Sequence, residues 1–291
     1  MAAGEDIAVS VIIPAVALED DFAAMLHGLA AQEPGFGFEV IVVLNHAERP
    51  VDAVLPERCR ILFCAKPGSY AARNVGIAAA CGHLLAFTDS DTDPAENWLR
   101  EGHAAAAMFD FNVVIAGKIA TYRRRKTVAG VYDMLFYLRQ EAAVMAGRAV
   151  TANLFVPARI MKEVGGFNES LFSSGDSDLC RRTREAGYQL AYCGQAEVRH
   201  PARDRLWNII QKERRTAGGL VAYTSLREQD GSLRAHARAE WRFFRSKVRR
   251  LRRLNHPETP VVRLHLLNAL MFGVRMCERL SVAAGKTPRR F

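Results

Sequence analysis

The stretch Leu84-Leu85-Ala86-Phe87-Thr88-Asp89-Ser90-Asp91-Thr92-Asp93-Pro94 is an apolar run that stops abruptly in three carboxylates at alternate positions. The run reads as a buried strand, and on an extended backbone Asp89, Asp91 and Asp93 point to one side. Like charges gathered at a strand end repel. They become tolerable when a divalent cation such as Mg²⁺ or Mn²⁺ bridges them to phosphate oxygens. The competing reading is a solvated acidic turn, with Asp93 as the N-cap of the next helix and Pro94 at its first position. Asp93 is expected to be such a cap, and Asp89 and Asp91 to take the metal or nucleotide role.

Strands and helices alternate on the N-terminal side of this segment. Val9 to Ile13 and Phe38 to Leu44 are short β-branched runs that suit buried parallel strands, and Asp20 to Ala31 between them places Phe22, Leu26 and Leu29 at helical spacing. Arg60 to Cys64 supplies a third strand, Ala71 to Cys81 an Ala-rich helix and His83 to Phe87 a fourth strand. On the C-terminal side follow a helix over Trp98 to Phe109, a strand over Asn112 to Ala120 and one long helix over Thr127 to Met145. Then come a strand over Thr151 to Val156, a Gly/Ser/Asp-rich loop over Phe167 to Asp178, a helix over Leu179 to Ala186 and a short strand over Gln189 to Tyr192. This order predicts an α/β fold, a mostly parallel mixed sheet flanked by helices, with ligands beyond the carboxyl ends of the strands. Lys66, Arg73 and Asn74 fall just past the third strand, where cations and amides reach a base or diphosphate; for Arg73 a solvated side chain is the alternative.

The context of the acidic segment resembles family 2 glycosyltransferases of the GT-A fold. The resemblance rests on Lys66-Pro-Gly-Ser-Tyr-Ala-Ala-Arg-Asn-Val-Gly-Ile-Ala-Ala-Ala-Cys-Gly82 ahead of Asp89-Ser-Asp91, and on Val164-Gly-Gly-Phe-Asn-Glu169 after it. It continues through Gly175-Asp-Ser-Asp-Leu-Cys-Arg-Arg182, Ala186-Gly-Tyr188 and Ala196-Glu-Val-Arg-His200, covering roughly residues 8 to 200. It implies an inverting, non-processive, metal-assisted transfer from a nucleotide-diphosphate sugar. On this resemblance Asp89 serves both nucleotide and metal, Asp91 holds the metal, and His200 either completes the metal site or is a structural turn residue before Pro201. Asp176 matches the general base that deprotonates the acceptor hydroxyl. Asp178 is its rival; a helix starting at Leu179 makes Asp178 the N-cap and leaves Asp176 on the loop. Pro14, Asn45, Lys66, Arg73 and Asn74 complete the expected nucleotide-sugar site. The chain departs from the family twice: Gly175 stands where many relatives have Glu, and Asn45 where the second strand usually ends in Asp.

Charge is distributed unevenly. Beyond residue 200 there are 21 Lys and Arg against 7 Asp and Glu, a net +14, which leaves −5 for the first 200 residues. The expected division is therefore a catalytic domain over residues 1–202 and a basic helical extension over 203–291. In the extension, Ala235 to Leu254 sets Arg238, Arg242, Arg245, Lys247, Arg249, Arg250, Arg252 and Arg253 around Trp241, Phe243, Phe244, Val248 and Leu251, and Val261 to Val282 is a more apolar helix after Pro257 and Pro260. The residue 235–254 helix fits an anionic membrane surface and a lipid-linked or polysaccharide acceptor, or else packs against protein with its charges in water. Nucleic acid is not expected, because no nucleic-acid module accompanies the charge. The start lacks a secretory signal and no run is long enough to span a bilayer, so the expected location is cytoplasmic, peripheral on the inner face of the plasma membrane. The six cysteines form no Cys-x-x-Cys pair and read as reduced. Two other functions fit the chain less well. A nucleotidyltransferase carries a Gly-rich basic loop after its first strand, where this chain has Pro14-Ala-Val-Ala-Leu-Glu-Asp20; an inactive GT-A-like scaffold has no use for Asp89, Asp91 and Asp176 together.

Overall fold

The computed structural model describes residues 6–17, 20–45, 55–226, 232–253 and 260–288. The N-terminal start, Leu254 and Pro257 lie outside the described residues. The chain forms two compact units: Met1–Thr121 with Leu138–Glu169 and Gly175–His200, and Tyr122–Tyr137 with Ser170–Ser174 and Pro201–Phe291.

The first unit is built on β1 (Ile7–Ala15), β2 (Gly37–Leu44), β3 (Cys59–Phe63), β4 (Leu84–Thr88), β5 (Asp93–Pro94), β6 (Val113–Tyr122), β7 (Asn153–Pro157) and β8 (Gln189–Pro201), in the order β3-β2-β1-β4-β7-β6-β8-β5. β1 runs parallel to β2 and β4, and β2 to β3. β7 is antiparallel to both β4 and β6, and β5 to β8. Val11, Ile12 and Ile13 are consecutive and fully buried, as are Val40 to Leu44, because helices cover both faces of the parallel half. Helix α1 (Asp20–Ala30) contributes Phe22, Leu26 and Leu29 to that core, as their spacing predicts. Helix α2 (Ser69–Ala79) lies so close to β1 that a Cβ at Gly76 would meet Ile12 Cγ2 at 2.5 Å, the packing reason for glycine in the Asn74-Val-Gly76 motif.

Two expected elements change. The long helix over Thr127 to Met145 is two helices, α4 (Val128–Phe136) and α5 (Gln140–Met145), with Leu138 between them at φ 51°. The break arises because the halves have different anchors. Thr127 caps α4 by accepting from Gly130 N–H, and α4 sends Tyr132 into the helical unit. Gln140 donates to the carbonyls of Val150 and Asn153 and accepts from Val150 N–H, which ties α5 to the entry of β7. The strand at Gln189 runs on for 13 residues and reaches His200, because its far end finds β5 to pair with.

The second unit packs α4 with α8 (Leu206–Leu226), α9 (Leu233–Arg252) and α10 (Val261–Ala283) around Tyr132, Ile209, Leu251, Leu264 and Met271. Its centre is ionic as well as apolar. Glu213 accepts from Lys247 Nζ at 3.0 Å and from Arg275 Nη1 at 2.6 Å, and it also bonds the Tyr137 hydroxyl. Arg275 forks onto Glu240 at 2.8 and 2.7 Å. The inward stripe of α9 is His236, Glu240, Lys247 and Leu251, while Trp241 faces out and Phe243 lies at the edge of the stripe. This corrects the expectation that Lys247 belongs to the solvated basic face: the ammonium is held by Glu213 and by the rings of Tyr132, Tyr137 and Phe243. Among the described residues no helix is long and apolar enough to cross a membrane.

Burial alone would raise the Glu213 carboxyl, but the charges of Lys247 and Arg275, with hydrogen bonds from Tyr137 and Arg275, bring it down to about 2. Its stabilising contribution is complete above the ordinary value of 4.5 and disappears as pH falls toward 2. Glu213→Ala strands the buried Lys247 ammonium and leaves Arg275 with Glu240 alone, and should cost about 3–5 kcal/mol in urea unfolding. Glu213→Gln should flatten the acid limb of stability against pH, and an unchanged acid limb would contradict the assignment.

Candidate active site

β4 ends at Thr88, whose buried hydroxyl bonds Thr92 Oγ1 at 2.7 Å and Ala152 O at 3.0 Å. Thr92 turns back on the chain, donating its N–H and its hydroxyl to the Asp89 carbonyl at 3.3 and 2.8 Å. A tight turn, rather than strand alternation, therefore brings Asp89 and Asp91 together. Asp93 does not join them. It sits in β5 opposite Arg199 and pairs with that guanidinium at 3.4 Å on the surface. Nor does Asp93-Pro94 start a helix: β5 uses both residues, and α3 (Trp98–Ala107) has Asn97 at its N-cap position.

The β5–β8 pairing does more than redirect Asp93. It lays His200 beside the turn, with Nε2 3.5 Å from Asp91 Oδ1, and one ligand atom each from Asp89, Asp91 and His200 lies within 4.8 Å of the others. His200 is buried and Asp91 exposed, so the group opens outward. Two carboxylates and an imidazole are a donor set that suits a divalent cation such as Mn²⁺ or Mg²⁺.

Arg73, 4% exposed on α2, donates from Nη2 to Asp89 Oδ1 at 2.6 Å, and its guanidinium lies 5.9 Å from the centre of the Phe167 ring. Burial excludes the solvated alternative for Arg73. Asp176 lies in the first turn of α7 (Gly175–Glu185) and accepts from Thr151 Oγ1 at 3.2 Å. Desolvation pushes the Asp176 carboxyl above the usual range and the charge of Asp89 adds to this, while Arg73 and the Thr151 hydrogen bonds oppose it.

Helix α7 begins at Gly175 rather than Leu179, so Asp178 is not its N-cap. The Gly175 N–H, which has no partner within the helix, is taken by the Tyr70 hydroxyl at 2.9 Å. Asp178 is instead paired with Arg181 and Arg182, each at 2.8 Å, on its own helix. Both carboxylates stand in the first turn, and it is Asp176 that feels Arg73 and Asp89.

Asn45, Lys66 and Asn74 are tied into the loops beside α2. Asn45 donates its amide to the carbonyls of Cys64 and Lys66 at 3.1 and 2.7 Å and accepts from Gly68 N–H at 2.7 Å. An aspartate there would have nothing to donate to those carbonyls, which explains the departure from the family residue. Lys66 pairs with Glu169 at 2.5 Å. Asn74 donates to Glu169 and to Phe167 O and accepts from Phe167 N–H, so it braces the Gly-Gly-Phe loop. Pro14 lies near the carboxyl end of β1, opposite Val43 and past the β4 pairing, which ends at Ile12. Tyr70, Thr92, Thr151 and Glu169 carried no sequence signal strong enough to assign them. A cavity of about 450 Å³ between α2 and α6 (Ala158–Glu163), lined by Ile77, Leu85, Met161 and Gly166, does not include the acidic residues.

Residues 6–219 match the family model described as glycosyltransferase like family 2. The chain belongs to that family. It is a glycosyltransferase, an enzyme of the transferase class with a GT-A fold and a helical C-terminal region. Among its relatives, glycosyltransferase AglE of Haloferax volcanii is 30% identical over 222 residues, covering 73% of this chain and 73% of the relative. The pre-mycofactocin glycosyltransferase of Mycobacterium tuberculosis is 31% identical over 209 residues, 67% of this chain and 44% of the relative. GalNAc-T7, in a crystal structure with UDP, GalNAc and Mn²⁺, superposes with a TM-score of 0.52 at 12% identity, over 68% of this chain and 43% of that one; the likeness is one of fold.

The other departure of this transferase from its family, Gly175, has a steric cause. A Cβ at Gly175 would lie 2.5 Å from Tyr70 Cζ, so the ring that receives the Gly175 N–H leaves no space for a side chain. Alanine usually stabilises a helix relative to glycine. Here Gly175→Ala should destabilise by about 1–3 kcal/mol, and adding Tyr70→Leu should recover part of the loss in thermal unfolding; a raised melting temperature for the single variant would refute the contact.

Proposed function

We propose that the enzyme moves a sugar from a nucleotide-diphosphate donor to a hydroxyl of a lipid-linked or polysaccharide acceptor, with inversion and with metal assistance. The observation that supports it most directly is the Asp89–Asp91–His200 group joined through Arg73 to the neighbourhood of Asp176. Asp89, Asp91 and His200 would hold a divalent cation, which when bound supplies positive charge to the departing diphosphate.

The protein's own groups do the rest. Arg73 holds Asp89 by a charge-assisted hydrogen bond and so aims the other carboxylate oxygen at the donor side. Lys66 lies past β3 for the diphosphate, and Asn45, Asn74 and Pro14 shape the edge that receives the nucleotide. Asp176 accepts the proton of the acceptor hydroxyl as its oxygen bonds to the anomeric carbon. The bond from that carbon to the diphosphate oxygen breaks on the opposite face, the diphosphate leaves with the electron pair, and a single displacement of this kind inverts the centre. A base of raised pKa holds a proton more strongly, which suits general-base work near neutral pH. In this reading residues 1–202 are catalytic, and the basic residues of 235–254 bring the enzyme to an anionic membrane where a lipid-linked acceptor resides.

Nucleoside diphosphate release from a panel of nucleotide sugars, with Mn²⁺ or Mg²⁺, tests the assignment. Asp91→Ala should lose metal-dependent donor binding. Asp176→Asn should keep donor binding and lose about 10²–10⁴ in transfer rate. The wild-type rate should fall on the acid side at a pH above the usual carboxylate range, as expected for a carboxyl whose pKa burial has raised. Equal activity in both variants would reject the site.

A further inference from the structure

Helix α10 is polarised the wrong way round for a helix bathed in water. It turns Arg275, Glu278 and Arg279 inward, where Arg275 and Arg279 meet Glu240 and Glu278 meets Arg214. Its outward face carries Val262, Leu266, Leu270 and Leu280, exposed by 73, 67, 47 and 45%. The exposed positions between these leucines are Ala269, Gly273 and Cys277, and the only exposed charge on the face is Arg263 at its start. The stripe recurs at helical spacing along the whole of the helix, and a contiguous apolar surface of this kind marks a contact with something apolar.

The stripe continues onto α9. Phe272, next to exposed Gly273, packs against Phe244 at 5.1 Å and Trp241 at 6.0 Å between ring centres, and Trp241 is half exposed. On α9 the residues three before and four after Trp241 are Arg238 and Arg245, both exposed, with Arg242 exposed beside them. The single carboxylate of α9, Glu240, is buried, so nothing acidic on that helix offsets the outward arginines. An apolar strip edged by aromatics and then by arginines matches, layer by layer, an acyl region, an interface and anionic headgroups. A second copy meeting the same face about a two-fold axis that crosses the helices would instead bring arginine rows toward one another, and α9 has no exposed carboxylate to pair with them.

We propose that α10 and the aromatic edge of α9 form one interfacial docking face for an anionic bilayer, with the α10 leucines and Trp241 entering the interface and Arg238, Arg242 and Arg245 taking the headgroups. This rests on the membrane reading given above and moves its apolar contact from the residue 235–254 helix alone to α10.

The test is co-sedimentation of the full chain with vesicles of phosphatidylcholine alone or of phosphatidylcholine and phosphatidylglycerol in equal parts. Wild type should bind only the mixed vesicles, and less at high salt. Arg238→Gln with Arg242→Gln and Arg245→Gln should weaken partitioning by about a hundredfold, and Leu266→Ser with Leu270→Ser by about tenfold or more at low salt. In a Trp207→Phe background, Trp241 emission should shift to the blue on adding mixed vesicles, since Trp98 is already buried. Far-UV melting checks that every variant folds. If the leucine variant binds like wild type while the arginine variant does not, the α10 face is wrong and the broader membrane reading survives. If wild type ignores vesicles, both fall; a concentration-dependent dimer abolished by the leucine variant would show that a second copy covers the face.

Discussion

The buried guanidinium of Arg73 is the charge on which the candidate site depends. Asp89 and Asp91 are forced together by a turn, Asp176 lies near enough to feel Asp89, and anions so placed destabilise one another. Arg73 meets Asp89 at 2.6 Å in a place where water screens little, and it also draws the Asp176 carboxyl downward against its burial. One cation thus offsets carboxylates that the fold brings close together. The carboxylates keep different characters. Asp91 is open and shares its neighbourhood with His200, whereas Asp176 is hemmed in and hydrogen-bonded by Thr151.

Around this charge the frame is made of amides and rings. Asn45 and Asn74 each use both ends of the side chain to bind backbone, fixing the loop at Lys66 and the loop at Phe167. Tyr70 stacks on Phe167 and caps α7 with its hydroxyl, so a single side chain links the glycine-rich loop to the start of the helix that carries Asp176. The helical unit solves a different problem. Glu213, Glu240, Lys247 and Arg275 neutralise one another in its interior, which frees the outer surfaces of α9 and α10 to hold arginines and leucines.

Much of the fold was legible in the chain. The β-branched runs at Val9 and Phe38 and the apolar run at Leu84 became strands, and Phe22, Leu26 and Leu29 became the inner face of α1, because periodicity records which side is buried. The errors share a physical origin, a partner far away in sequence. The helix over Thr127 to Met145 breaks because Gln140 is caught by the backbone before β7. Helix α7 starts four residues early because Tyr70 serves as a remote cap. Asp93 leaves the acidic group because β8 offers a strand to pair with.

By itself the sequence determined the kind of chemistry: acids after an apolar strand, the Asn74-Val-Gly76 helix, and the downstream motif around Asp176 are local patterns, and local patterns survive in a linear string. Only the tertiary structure decided which of those acids meet. His200 reaches Asp91 through a strand pairing, Arg73 reaches Asp89 across the gap between a helix and a strand end, and Lys247 turns inward to Glu213. Each of these contacts joins charges whose separation in space is set by sheet order and helix packing, quantities that no local pattern encodes.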